Sequence, residues 1–188
     1  MDLDFVLQRC REGDQLAWEA LVREFQGRVY GIACHYVGNS EDARDVAQEV
    51  FVRIYRHLAP DIDRQRFVPW MIRVCRNACI DHLRRRKAHP QALDDQAQMS
   101  NTLVDGRHNP EEQWAANSRK RLIYRAMQQL SRLNREIILL KDILGLPLEQ
   151  ISSMLKVPLG TIKSRSNRAR IELAERVLAI SNRAGGEK

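Results

Sequence analysis

Apolar residues along this chain recur at intervals of three and four, the spacing that lines one face of an α-helix, and no stretch alternates like a half-buried strand. The predicted fold class is therefore all-α. Leu16, Ala20, Leu21, Phe25, Val29, Ile32 and Ala33 fall on one face of a first long helix that ends near Gly38 and Asn39. Ser40 is placed to cap the next helix, and Glu41 and Asp42 follow where the helix dipole favours anions. Val46, Val50, Phe51, Ile54, Tyr55 and Leu58 repeat up to Pro60, which cannot continue a helix. A third helix carries Phe67, Trp70, Met71, Val74, Ala78 and Leu83. Three amphipathic helices can bury one another's stripes, so residues 1–88 are expected to form one small domain.

From residue 89 to 110 the periodicity fails and Pro, Gln, Asn, Ser, Asp and Gly accumulate, which predicts a flexible linker. Its charges, Asp94, Asp95 and Asp105 against Arg107, make it mildly acidic. A second domain, 111–188, is expected to open with Glu111 and Glu112. Its first helix carries Trp114, Leu122, Ile123, Ala126, Met127 and Leu130, and short helices follow at 137–144, 148–155 and from Pro158 or Thr161 to about Ile180.

Charge narrows the function class. The chain has 31 Lys and Arg against 24 Asp and Glu, a formal +7, which suits a partner rich in phosphate. Residues 64–87, RQRFVPWMIRVCRNACIDHLRRRK, hold eight Arg or Lys and one acid, Asp81, so this segment alone matches the whole excess. No apolar run approaches the roughly 20 residues that span a bilayer, and the start, Met1-Asp2-Leu3-Asp4, is acidic where a secretory signal is basic. A cytoplasmic protein is expected. The four cysteines, Cys10, Cys34, Cys75 and Cys79, lie in helical apolar patterns without a CxxC pair and read as reduced core thiols. Cys75, Cys79 and His82 can share a helix face, but a zinc site would need a fourth ligand, so no metal is assigned.

The sharpest motif is PLEQISSMLKVPLGTIKSRSNRARIEL, residues 147–173. Leu148, Ile151 and Leu155 make one apolar face, Val157-Pro158-Leu159-Gly160 break the helix, and Leu159, Ile162, Ala169 and Leu173 make the next. That is a helix-turn-helix pattern. With those positions turned inward, Lys163, Ser164, Arg165, Asn167 and Arg168 are left on the outward face, where a recognition helix enters the major groove. Arg and Lys suit guanine edges, Asn suits adenine, and all can hold phosphate.

Two further segments read more plainly by themselves. The arginines of 64–87 can follow a DNA backbone, while Phe67 and Trp70 fit core positions by their spacing and Asn77 fits a solvated surface. In NSEDARDVAQEVFVRIYRHL, residues 39–58, Asp42, Asp45, Gln48, Glu49 and Arg53 make a polar face opposite Val46, Val50 and Ile54, which alone would be a solvated helix face.

Taken in order, these pieces resemble the extracytoplasmic-function sigma factors over residues 5–178. DARDVAQEVFVRIYR resembles their core-polymerase-binding helix, FVPWMIRVCRNACIDHLRRRK their promoter-melting segment, and LKDILGLPLEQISSMLKVPLGTIKSRSNRAR their second DNA-binding domain. The resemblance implies two helical domains, no catalytic site and no cofactor, with core RNA polymerase, promoter DNA and an anti-sigma factor as partners. Carried over by position, Asp45, Gln48, Glu49 and Arg53 would face the polymerase clamp, replacing the solvated-face reading. Asn77 would hold a base flipped from the minus-ten element, with Arg73, Arg76, Arg84, Arg85 and Arg86 along the strand. Thr161, Lys163, Ser164, Arg165, Asn167 and Arg168, joined by Lys141, would meet the minus-thirty-five element. Lys163 and Asn167 stand where relatives commonly carry Arg and an aromatic, which implies a shifted base preference.

Two other classes compete. A polymerase-independent helix-turn-helix regulator would need a sensor or dimerisation domain, where residues 1–88 offer a basic three-helix face. A nuclease with metal on Asp42, Asp45 and Glu49 would need ligands from a second element, and none is predicted.

Overall fold

The computed structural model describes residues 1–88 and 121–185, with side chains to residue 182. The predicted linker, 89–110, and the expected start of the second domain at Glu111 lie outside the described residues. Among the described residues every regular element is helical. The chain divides into two compact units.

The first unit has four helices: α1 (Leu3–Arg11), α2 (Gln15–Val37), α3 (Ser40–His57) and α4 (Arg64–Ala88). The expectation of three omitted α1. Its signals are local: Asp2 accepts from the amides of Asp4 and Phe5, and Val6, Leu7 and Cys10 turn inward. Gly13, at φ 83°, supplies the left-handed residue of the turn, and Asp14 then caps α2 through the amides of Leu16 and Ala17. The cap of α3 also differs from expectation. Asn39 fills it, its Oδ1 accepting from the amide of Asp42 at 2.8 Å, and Ser40 is already helical.

Leu21, Phe25, Val29 and Ile32 of α2 meet Val46, Val50 and Ile54 of α3 and Phe67, Met71, Cys75 and Ala78 of α4 in one core. Phe25 and Phe67 meet edge to face at 5.3 Å. Two residues assigned to apolar stripes lie outside it. Leu16 is 74% exposed, because it sits about 100° round the helix from the buried Ala17. Tyr55 is 63% exposed and lays its ring 4.8 Å from that of Trp18, whose indole donates to the Cys10 carbonyl. Trp70 is half-buried against Phe67.

Pro69 is the sixth residue of α4, so its missing amide forfeits one bond of the helical ladder, the one to the Gln65 carbonyl. Two first-turn amides are satisfied by side chains outside the helix. Arg66 N donates to Asp63 Oδ1, and Arg64 N donates 2.8 Å to Asp4 Oδ1, which fastens α1 to the start of α4.

In the second unit, α5 is described over 121–128. It is followed by α6 (Arg132–Ile138), a π-helical turn (Leu139–Ile143), α7 (Leu148–Leu155) and α8 (Leu159–Gly185). Arg135 closes the end of α5, donating to the carbonyls of Met127 at 2.9 Å and Gln128 at 2.7 Å. Met127, Ile137, Leu140, Ile151 and Ile162 are fully buried and form the core. The turn between α7 and α8 lies one step earlier than expected. Lys156 takes the left-handed conformation at φ 56°, Ser152 Oγ donates to the Val157 carbonyl, and Leu159 and Gly160 already belong to α8.

Candidate polymerase and nucleic-acid interfaces

The polar face of α3 divides in two. Asp45 and Gln48 are exposed, and Val52 and Tyr55 continue the same stripe one and two turns on, also exposed. Asp42, Glu49 and Arg53 turn toward α4 instead. Arg53 donates from Nε to Glu49 at 3.1 Å and from Nη1 to Asp81 at 3.1 Å. Glu49 also accepts from Arg85 at 2.9 Å, and Asp42 from Arg86 at 2.7 Å. His82 Nε2 lies 3.3 Å from the Asp42 carboxylate. Residues assigned by resemblance to polymerase and to DNA are thus brought together in one seam.

Charge sets the protonation states in that seam. Desolvation would raise the carboxyl of Asp42, but the hydrogen bond from Asn39 and the neighbouring His82 and Arg86 outweigh it and hold it below the ordinary range. Glu49 is held low in the same way, desolvation being outweighed by Arg53 and Arg85. The expected set did not include Asp81 and His82. Their spacing from Arg85, four and three residues, places all three on one face of α4, but nothing in sequence says which helix that face meets.

Along α4, Arg73, Asn77 and Arg84 are exposed and Arg76 is half-buried. Asn77 stands among cations on the outer surface. The opposite face carries the thiols. Cys75 and Cys79 are buried, and their mutual hydrogen bond together with burial pushes the Cys75 thiol up. Burial pushes Cys10 up to about 11. Among the described residues no three Cys, His, Asp or Glu side chains converge as metal ligands, and His82 faces Asp42.

In the second unit, the inward positions of α8 are Ile162, Ser166 and Ala169, all fully buried. Lys163, Ser164, Arg165, Asn167 and Arg168 are exposed as the apolar spacing requires, and Thr161 is half-buried at the first turn. Thr161, Ser164, Arg165, Arg168 and Glu172 of α8 line an open groove with Asn134 of α6. Lys141 has a different position from the other cations. Its Nζ donates 2.7 Å to Ser166 Oγ, so it braces α8 from behind. Arg170 is held by Asp142 of the π-helical turn, its Nε donating at 3.1 Å.

Comparison with known proteins gives this geometry its setting. Residues 21–89 match the family model described as Sigma-70 region 2, and residues 120–173 match that of Sigma-70, region 4. The RNA polymerase sigma-H factor of Pseudomonas aeruginosa is 29% identical over 171 residues, 88% of each chain. The ECF RNA polymerase sigma-E factor of Escherichia coli is 28% identical over 183 residues, 95% of each. Among solved structures, CnrH in complex with the cytosolic domain of CnrY aligns with TM-score 0.62 at 22% identity, covering 95% of this chain and 99% of that one. RpoE in complex with the anti-sigma factor NepR, from Bartonella quintana, aligns with TM-score 0.63 at 18% identity, covering 85% and 95%. The matched segments hold α3 with α4 and the helix-turn-helix in the order in which the charged surfaces occur, and the chain belongs to the extracytoplasmic-function group of the sigma-70 family.

Proposed function

We propose that this sigma factor docks on core RNA polymerase through the exposed stripe of α3 and reads promoter DNA with α4 and α8. Asp45 and Gln48 supply the polar contacts to polymerase, Val52 and Tyr55 an apolar end, and Glu49 and Arg53 border the stripe. Asn77 holds a base of the minus-ten element while Arg73, Arg76, Arg84, Arg85 and Arg86 grip the strand. Thr161, Lys163, Ser164, Arg165, Asn167 and Arg168 meet the minus-thirty-five element, and Lys141 acts on it through Ser166. Residues 1–88 then form region 2 and 111–188 region 4, joined by 89–110.

The observation that carries this reading is α8, whose buried Ile162, Ser166 and Ala169 leave cations and an amide pointing outward. The reading extends to control by an anti-sigma factor in an envelope or stress response. Its support is that RpoE, similar in fold, is captured with the anti-sigma factor NepR. Action in the cytoplasm follows from the polymerase partner, and no described helix is long and apolar enough to cross a membrane.

Run-off transcription with purified core polymerase on a library of random promoters tests the whole. Transcripts sharing two spaced elements are expected. Promoter binding without any association with core polymerase would favour the free-standing helix-turn-helix regulator instead.

A further inference from the structure

The acidic side of α3 meets the basic end of α4 within the free chain. Arg85 and Arg86, two of the cations ascribed above to the DNA grip, are occupied by Glu49 at 2.9 Å and Asp42 at 2.7 Å. Arg73 and Arg84 are exposed and have no carboxylate partner among the described residues. The two halves of each pair are not equally fixed. Asp42 is also held by Asn39 and faced by His82, and Glu49 is also held by Arg53. The guanidiniums are the more open partners: the Arg85 side chain is 62% exposed against 32% for Glu49, and Arg86 is 38% exposed against 23% for Asp42. A guanidinium takes carboxylate and phosphate oxygens with the same planar fork, so the two anions compete for it directly.

We propose that Glu49 and Asp42 stand in for DNA phosphates in the free chain, so that a strand can recruit Arg85 and Arg86 only by displacing a carboxylate. This rests on the reading of α4 as a DNA-binding helix and adds the regulation of its grip. The arginines swing outward on flexible stems while the carboxylates stay with α3. Each exchange gives up a partly exposed ion pair, which lowers the affinity of the free chain for DNA by about three- to fivefold. A partner that takes up the α3 carboxylates hands the same arginines to DNA.

The test is fluorescence anisotropy of a short random-sequence DNA duplex titrated with the full chain. The isosteric changes Glu49→Gln and Asp42→Asn should each tighten binding by about three- to fivefold. Asp45→Asn removes the same charge from an exposed carboxylate of the same helix, and it should change affinity by less than about twofold because mobile ions screen it. In an Arg85→Ala background, Glu49→Gln should no longer tighten binding. Circular dichroism identifies any variant that loses helix, and Glu49→Gln, away from the caps, decides if Asp42→Asn does. Tightening by Glu49→Gln no greater than by Asp45→Asn, or tightening that persists without Arg85, would overturn the proposal. Weakening by Arg84→Ala beside an inert Glu49→Gln would leave α4 a DNA-binding helix without this masking. No change with either would remove the DNA reading of α4 and the masking with it.

Discussion

Arg170 on α8 and Asp142 on the π-helical turn form an ion pair that ties α8 to the preceding element. Arg170, three residues beyond Asn167, is exposed and can also hold phosphate. The pair gives it a second role, in orientation. Asp142→Asn, which touches no DNA in this reading, is therefore expected to weaken promoter binding in the same direction as Arg170→Ala. A DNA-binding titration of both variants checks this. Arg170→Ala acting alone would make it a plain phosphate contact.

Base reading should separate from bulk charge on α8. Arg165→Ala or Lys163→Ala is expected to relax discrimination at one position of the minus-thirty-five element by about 1–3 kcal/mol. Competition binding on single-base promoter variants measures it. Equal losses on every variant would rule out direct reading by this helix.

On α3, charge reversal should behave differently at neighbouring carboxylates. Asp45→Lys is expected to leave stability within about ±0.5 kcal/mol and to abolish core-polymerase binding. Glu49→Lys sets an ammonium against Arg53 and Arg85, so it should also destabilise region 2, by about 1 kcal/mol after allowing for solvent screening. Urea unfolding alongside a polymerase pull-down separates the two effects.

Asn77 and Arg84 test the role proposed for α4. An amide both donates and accepts, which suits a base edge, while a guanidinium holds phosphate whatever the sequence. Asn77→Ala should change the preferred minus-ten base without changing salt dependence. Arg84→Ala should lower the salt slope by about one and keep the preference. Open-complex formation at two salt concentrations reads both.

The seam also predicts how region 2 responds to acid. Asp42 and Glu49 titrate below their unfolded values, so their pairing stabilises the fold fully above the unfolded pKa values, about 4. That stability is lost as pH falls through the lower, folded values. Urea unfolding followed from about pH 5 to pH 2 should therefore show a steeper loss for the native chain than for an Asp42→Asn, Glu49→Gln double variant. Parallel curves would mean that the seam contributes nothing to stability.

Local pattern by itself determined the helical class, the inward stripes of α2, α3 and α4, the span of α7 and the outward set on α8. A helix writes its buried face into sequence at a fixed interval. Capping is a contest among adjacent residues, and periodicity does not judge it: hence Asn39 rather than Ser40, and the missed α1. Leu16 and Tyr55 match the interval to a neighbour, yet each sits about 100° round its helix from a buried residue, Ala17 and Ile54, on a side that the packing leaves in solvent. The largest gap concerns partners. Arg85 and Glu49 are 36 residues apart, Lys141 and Ser166 are 25 apart, and Asp142 and Arg170 are 28 apart. The charge of each residue is plain in sequence, but whether it faces another side chain or a partner depends on how two helices cross. That is a property of packed cores, and tertiary structure alone decided it.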